Sequence, residues 1–158
     1  MNGKVLACFS AVNSTLNLYH LPIPPSSNNQ YILVRRGKKT YHVPSAELLV
    51  FRSNVSHYAL QTRNVLNEAK KTFTEFKQFQ IHCLFTFKRE RLFTKQNTVK
   101  KLDVSNRLKA LHDEVSRIIG IDDSQFFEIS ATKRPLEPFE GAEECVKVTL
   151  FPLYPADY

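Results

Sequence analysis

Strict alternation marks the clearest strand of the chain. In "FQIHCLFTFK", Phe79, Ile81, Cys83, Phe85 and Phe87 share one face, because a pleated backbone sends successive side chains to opposite sides. A shorter alternation in "TLNLYHL" sets Leu16, Leu18 and His20 against Asn17, Tyr19 and Leu21. Pro22, Pro24 and Pro25 end that strand, since proline cannot donate to a central ladder. The run "PPSSNN" then forms a rigid polar turn. "YILVRRGKKTYHV" reads as a hairpin with Gly37 at its tip among Arg35, Arg36, Lys38 and Lys39. "QFFEISATKR" and "CVKVTLF" supply two further strands, joined by a Pro/Glu loop around "PLEPFEGAEE".

Two stretches carry the helical period instead. Phe51, Val55, Tyr58, Thr62, Val65 and Ala69 recur at steps of four and three. Residues 45–71 therefore read as one long amphipathic helix, with Ser45 as N-cap behind Pro44. In the second helix Leu108, Leu111, Val115, Ile118 and Ile119 fall on one arc at about 100° per residue, which places Asn106, Lys109 and Asp113 on the opposite stripe. Gly120 suits the residue that ends this helix. "KRERLFTKQNTVKK" has no sustained apolar period and reads as an exposed loop or ragged hairpin. The order strand, hairpin, helix, strand, helix, strand, strand predicts an α/β (α+β) fold, a mixed β-sheet packed against two main helices. Residues 1–15 read as an N-terminal extension, 16–153 as the domain and 154–158 as a tail.

Composition narrows the class only a little. With 158 residues, 42% of them hydrophobic and 23% charged, the chain can bury one ordinary core and is not a disordered polymer. Cys8, Cys83 and Cys145 are widely spaced with no C-x-x-C, which suits reduced thiols and not a disulfide frame or a zinc site. No run approaches the roughly 18 apolar residues of a membrane span. The apolar patch in "MNGKVLACFSA" is too short for a signal sequence. A cytoplasmic protein with no membrane partner is the expectation. The net charge of +7 favours an anionic partner without choosing between nucleic acid and an acidic surface.

Against that charge, "KKLDVSNRLKALHDEVSRIIGIDDSQ" gathers Asp103, Asp113, Asp122 and Asp123 with Asn106 and Lys109 about one helix. Carboxylates of this kind suit a hard divalent cation that meets a phosphate. By spacing alone they are equally ordinary helix and turn chemistry. Asp is favoured at a helix start, Lys and Asp pair at i and i+4, and Asp-Asp sits in turns. Length adds a constraint, since fourteen helical residues span about 21 Å. Asp103 and Asp123 meet only if the strand after Gly120 runs back beside the helix and its start pairs with the segment carrying Asp103.

The same stretch resembles the RusA family of Holliday-junction resolvases, which share an Asp-x-Asp-Asn-x-x-Lys run followed by an Asp-Asp pair. "LPIPPSSNNQY" is similar to that family's Pro-Pro-Ser-x-Asn signature, and the likeness extends from about Leu16 to Leu153. It implies a homodimer that cuts four-way branched DNA with Mg2+ or Mn2+, by paired symmetric hydrolysis in recombination and repair. Carried over by position, it implies catalytic roles for Asp103, Asn106, Lys109 and Asp123. Asp103 and Asp123 would bind the metal, with Asp122 as first member of the acidic pair. Ser105 stands where the family pattern often has its second Asp, and a hydroxyl is a weaker, neutral ligand. Either the metal is held by fewer charges, or Ser105 serves mainly as an N-cap while Asp122 or Asp113 compensates. Contacts to the DNA backbone then fall to Arg35, Arg36, Lys38, Lys39, Lys88, Arg89, Arg91, Lys95, Lys100 and Lys101. Phe93 offers either a stacking surface for an unpaired base or a satellite core contact.

Three other readings stay open on these residues. A branched-DNA-binding protein that lost catalysis with the change at Ser105 binds and never nicks. A structure-specific nuclease for flaps, forks or RNA prefers another substrate. A basic scaffold protein has little salt-sensitive affinity for DNA.

Overall fold

The computed structural model describes residues 5–137 and 143–154, so the middle of the Pro/Glu loop and most of the expected tail lie outside the described residues. The elements run β1 (Ala7–Ser10), β2 (Thr15–Leu21), β3 (Tyr31–Arg36), β4 (Lys39–Pro44), α1 (Ala46–Gln61) and α2 (Arg63–Phe73). They continue with β5 (Phe79–Phe87), α3 (Arg89–Leu92), α4 (Ser105–Ile119), β6 (Phe126–Pro135) and β7 (Cys145–Pro152). Five strands form one mixed sheet in the order β1-β2-β7-β5-β6, while β3 and β4 pair only with each other. Part of the segment expected as an extension therefore adds the edge strand β1.

Burial of one sheet face holds this layer together. All five inward residues of β5, from Phe79 to Phe87, are fully buried. Val146, Val148 and Leu150 of β7 lie alongside them. α1, α2 and α4 cover that face, and Phe73 of α2 meets Phe79 edge-on with ring centroids 5.1 Å apart. β5 and β6 are parallel neighbours, which demands a crossover connection. The segment through α3 and α4 supplies it, and that requirement lays α4 across the sheet. Among the described residues, no helix is long and apolar enough to cross a membrane.

Three local details depart from the periodicity. In β2 the register slips between Leu18 and Leu21, and His20 adopts φ +59°. This bulge reverses the alternation, so Leu21 joins Leu16 and Leu18 in the core and His20 does not. The long helix over residues 45–71 is broken at Thr62, whose hydroxyl donates to the Tyr58 carbonyl at 2.9 Å. Such back-bonding bends helices, and past the bend Leu66 is buried where Val65 is only half-buried. The Ser45 cap is present, with Leu48 N donating to its Oγ at 3.1 Å. The basic segment contains the single turn of α3 and a Phe93–Val99 bridge. The hairpin turns at Gly37, φ +62°, and exposes Tyr31, Ile32, Leu33 and Tyr41.

Candidate active site

α4 is amphipathic, with Ala110, Leu111, Val115, Ile118 and Ile119 buried and Asn106 and Lys109 facing solvent. The helix ends at Gly120, which takes the left-handed conformation at φ +78° and donates to the Ser116 carbonyl at 2.7 Å. This turn sends the chain back along the helix. Asp123, fourteen positions after Lys109, thereby comes within 3.5 Å of the Lys109 ammonium. Asp113, one turn along α4, binds the same ammonium at 2.7 Å. The hydrogen bond from Lys109 to Asp113 is the main cause that holds the lysine pKa above its ordinary value, and Asp123 adds to it. Lys109 and Asp113 of the polar stripe thus join Asp123 in a connected Asp–Lys–Asp cluster, and Asp113 has a place as Lys109's nearer partner.

The other end of α4 is organised by Asp103. Its Oδ1 accepts from the Ser105 hydroxyl at 2.6 Å and the Ser105 amide at 2.9 Å. These bonds, with the charge of Lys133, hold its carboxyl below the usual range. The residue before the helix, Val104, makes no side-chain cap, so the capping oxygen comes from Asp103 and not from Ser105. Asp122 is likewise taken up in a turn. Its Oδ1 accepts from Ser124 N at 2.9 Å while its own amide donates to Gln125 Oε1 at 3.1 Å, a reciprocal capping box, and the hydrogen bonds from Ser124 hold its carboxyl below the usual range.

β6 pairs with β5 and not with the segment carrying Asp103. Asp103 and Asp123 therefore sit in different charge settings, the first beside Lys133 near the end of β6, the second beside Lys109 before its start. Lys133 Nζ donates to the Leu102 carbonyl at 2.5 Å. Among the described residues, no group of three or more His, Cys, Asp or Glu is placed to hold a metal. The donors remain chemically suited to a hard cation, all being oxygens. Their number suits an open site, because Mg2+ is commonly held by one or two carboxylates plus waters and substrate phosphates.

The basic residues divide into two groups. Arg36, Lys38 and Lys39 on the hairpin and Lys88, Lys95 and Lys101 on the loop extend exposed side chains. Four others are partly engaged within the protein. Arg35 donates to Gly37 O, Arg89 to Asn97, and Lys100 to Glu90 O, while Arg91 pairs with Glu144. Arg89 also lies over the Phe93 ring at 5.0 Å, and Phe93 packs against the core edge. Sequence patterning did not single out Gln30 and Arg107, which fasten the proline turn to α4. The one available signal was the co-occurrence of "PPSSNNQ" with the helix motif.

The fold is a mixed α+β sheet whose crossover helix presents polar residues to solvent and is accompanied by cationic segments. The family model for endodeoxyribonuclease RusA matches residues 22–150, and the chain belongs to that family. No curated protein matches the chain. Among solved structures it is similar to IspF of Plasmodium falciparum in a CDP complex, at 18% identity and TM-score 0.30, over 68% of this chain and 61% of that one. It is also similar to a protein of unknown function from Agrobacterium tumefaciens, at 8% identity and TM-score 0.37, over 98% and 86%. A third, 2C-methyl-D-erythritol 2,4-cyclodiphosphate synthase of Plasmodium vivax, matches at 14% and TM-score 0.28, over 85% and 93%. Likenesses this weak bear on neither chemistry nor substrate.

Proposed function

We propose that this protein is a divalent-metal-dependent endonuclease that resolves four-way DNA junctions as a homodimer, nicking two strands symmetrically. The family match over residues 22–150 carries the reading. In this proposal Asp103 and Asp123 are the metal-holding carboxylates that the family implies, with Asp122 and Ser105 as adjacent oxygens. β6 pairs with β5, and the strand pairing expected to bring the two carboxylates together is absent among the described residues. Held by these oxygens, Mg2+ or Mn2+ would acidify water and offset charge on the phosphoryl oxygens. Lys109, its protonated form favoured by Asp113 and Asp123, donates to a phosphoryl or leaving oxygen as negative charge develops there. Asn106, on the same exposed stripe, offers its amide to the phosphate. The exposed cations of the hairpin and the basic loop hold the DNA backbone without reading sequence. Arg35, Arg89, Arg91 and Lys100 shape those segments and contribute charge. A two-fold dimer presents two equivalent sites to a two-fold junction.

The deciding experiment is cleavage of a synthetic four-way junction, compared with linear duplex, flap and fork, in Mg2+ and in chelator. Paired, metal-dependent nicks confined to the junction are the expected result. Preference for flaps or forks would move the assignment to another structure-specific nuclease. One observation favours a second reading. The Ser105 hydroxyl donates to Asp103 where a second carboxylate would otherwise add negative charge, which supports a junction-binding protein with weakened catalysis. That reading predicts tight junction binding with no nick at any Mg2+ or Mn2+ concentration.

A further inference from the structure

The turn "PPSSNNQ" takes no part in the cleavage chemistry proposed above, yet it lies against the first turn of α4. Gln30 makes the junction. Its side chain is 5% exposed, and Nε2 donates to the Pro25 carbonyl at 3.2 Å and to the Asn106 carbonyl at 3.4 Å. Both N–H bonds of the amide therefore have acceptors, one on the turn and one on the catalytic helix. The Gln30 carbonyl accepts from the amide of Ser45, the N-cap of α1, at 2.9 Å, and Ser45 Oγ donates to Asn29 O at 2.5 Å. Three segments thus meet on one glutamine. Arg107 adds a second strap from α4, donating through Nη1 to the Pro24 carbonyl at 2.5 Å. Among the described residues its Nε–H is buried without a partner, a desolvation cost that offsets part of this strap. The proline rings fix φ at Pro24 and Pro25, so the carbonyls that receive these bonds are carried on a stiff support.

We infer that Gln30 is a positioning residue of the active site, holding the first turn of α4 so that Asn106 and Lys109 stand in fixed relation to the substrate. Gln30 itself touches no reacting group. The inference rests on the nuclease reading and explains why the proline turn accompanies the helix motif across some eighty residues of chain. A purely structural glutamine would lower stability and leave turnover per folded molecule unchanged. A positioning residue lowers kcat at saturating junction, because small misplacements of catalytic groups cost rate more than affinity.

The test uses the full chain and a four-way junction with Mg2+, well below the melting transition. Gln30→Met keeps the volume and removes both donors. It is expected to lower kcat about tenfold with junction affinity within about twofold. Amide hydrogen exchange should rise in residues 105–109 and stay unchanged in 115–119. Arg107→Met should lower kcat about threefold, and Arg107→Lys, which can still donate to Pro24 O, should restore it. Should Gln30→Met fail to fold, the arginine pair decides on the same readouts. Wild-type kcat and exchange in Gln30→Met, or in Arg107→Met where that variant decides, would overturn the inference. A wild-type protein that nicks no junction sinks the nuclease reading and the positioning role with it. That outcome is distinct from a wild type that nicks while the variants nick equally well.

Discussion

α4 carries two ionic clusters of opposite construction. On its inner side Glu114, only 6% exposed, is held by Arg52 at 3.3 Å and Arg117 at 2.6 Å. Arg117 also donates to Ser56 of α1 at 3.0 Å. Two cations pair with one buried carboxylate, and the assembly ties α4 to α1. On the outer side the ratio is reversed, with Asp113 and Asp123 sharing the single ammonium of Lys109, all three accessible to solvent. That cluster has excess negative charge and oxygens with lone pairs still open. The same helix therefore sets a buried, doubly paired carboxylate against an exposed, underpaired one. The first engages both carboxylate oxygens with cations, whereas the second leaves oxygens open, as the proposed metal and phosphate site requires.

The largest effect expected of this contrast is at Asp123. Asp123→Asn should reduce junction cleavage by about a thousandfold, roughly 4 kcal/mol of activation free energy. The melting temperature should stay nearly constant, because an exposed ion pair contributes little to stability. Wild-type cleavage by this variant would remove Asp123 from the site. Next comes the inner cluster. Replacing Arg52 and Arg117 together by Met leaves Glu114 buried and unpaired, which should cost about 3 kcal/mol in denaturant unfolding. Cleavage per folded molecule should be unaffected. If that double variant lost activity and kept its stability, the assignment of roles to the two clusters would be reversed. Lys109→Ala follows, with single-turnover cleavage slowed about thirtyfold, near 2 kcal/mol, and junction affinity within about twofold.

Much of the frame was legible because it depends on period and on strong local signals. The alternation of Phe79 to Phe87, the cap at Ser45 and the stop at Gly120 each act over a few residues, and each appears in the structure. The bulge at His20 and the bend at Thr62 were not legible, since one extra residue or one hydroxyl bond changes the phase without changing composition. Glu114 reads as one more solvent-facing acid until α1 brings Arg52 against it. The site was legible in part. Lys109 and Asp113 pair by helical geometry alone, but the approach of Asp123 depends on how the chain turns beyond Gly120. Gln30 was signalled only by the co-occurrence of its turn with the helix motif, because a glutamine in a polar turn gives no local sign that its amide spans to a helix 76 residues away.

His112 senses the charges of the outer cluster and offers the finest discrimination. It is buried, with Nε2 3.9 Å from the Cys83 thiol and its ring edge-on to Phe126 at 5.4 Å. Burial is the main cause that lowers its pKa. Asp123 and Asp113 oppose the shift, and Lys109 reinforces it. With a folded pKa below the unfolded value of about 6.5, the unfolded chain takes up the proton first as pH falls. Stability from this group is thus complete above about pH 6.5 and is lost progressively below it, down to the folded pKa. Thermal midpoints should fall between pH 7.5 and 5.5 in the wild type, and His112→Leu should flatten that slope. The outer cluster enters through Asp123. Asp123→Asn removes a charge that supports the imidazolium, so the His112 resonance should titrate at lower pH in that variant than in wild type, with no such movement after the Arg52/Arg117 replacement. An unchanged His112 titration in Asp123→Asn would mean that solvent screens the outer carboxylates from the core, and that their excess charge acts only outward.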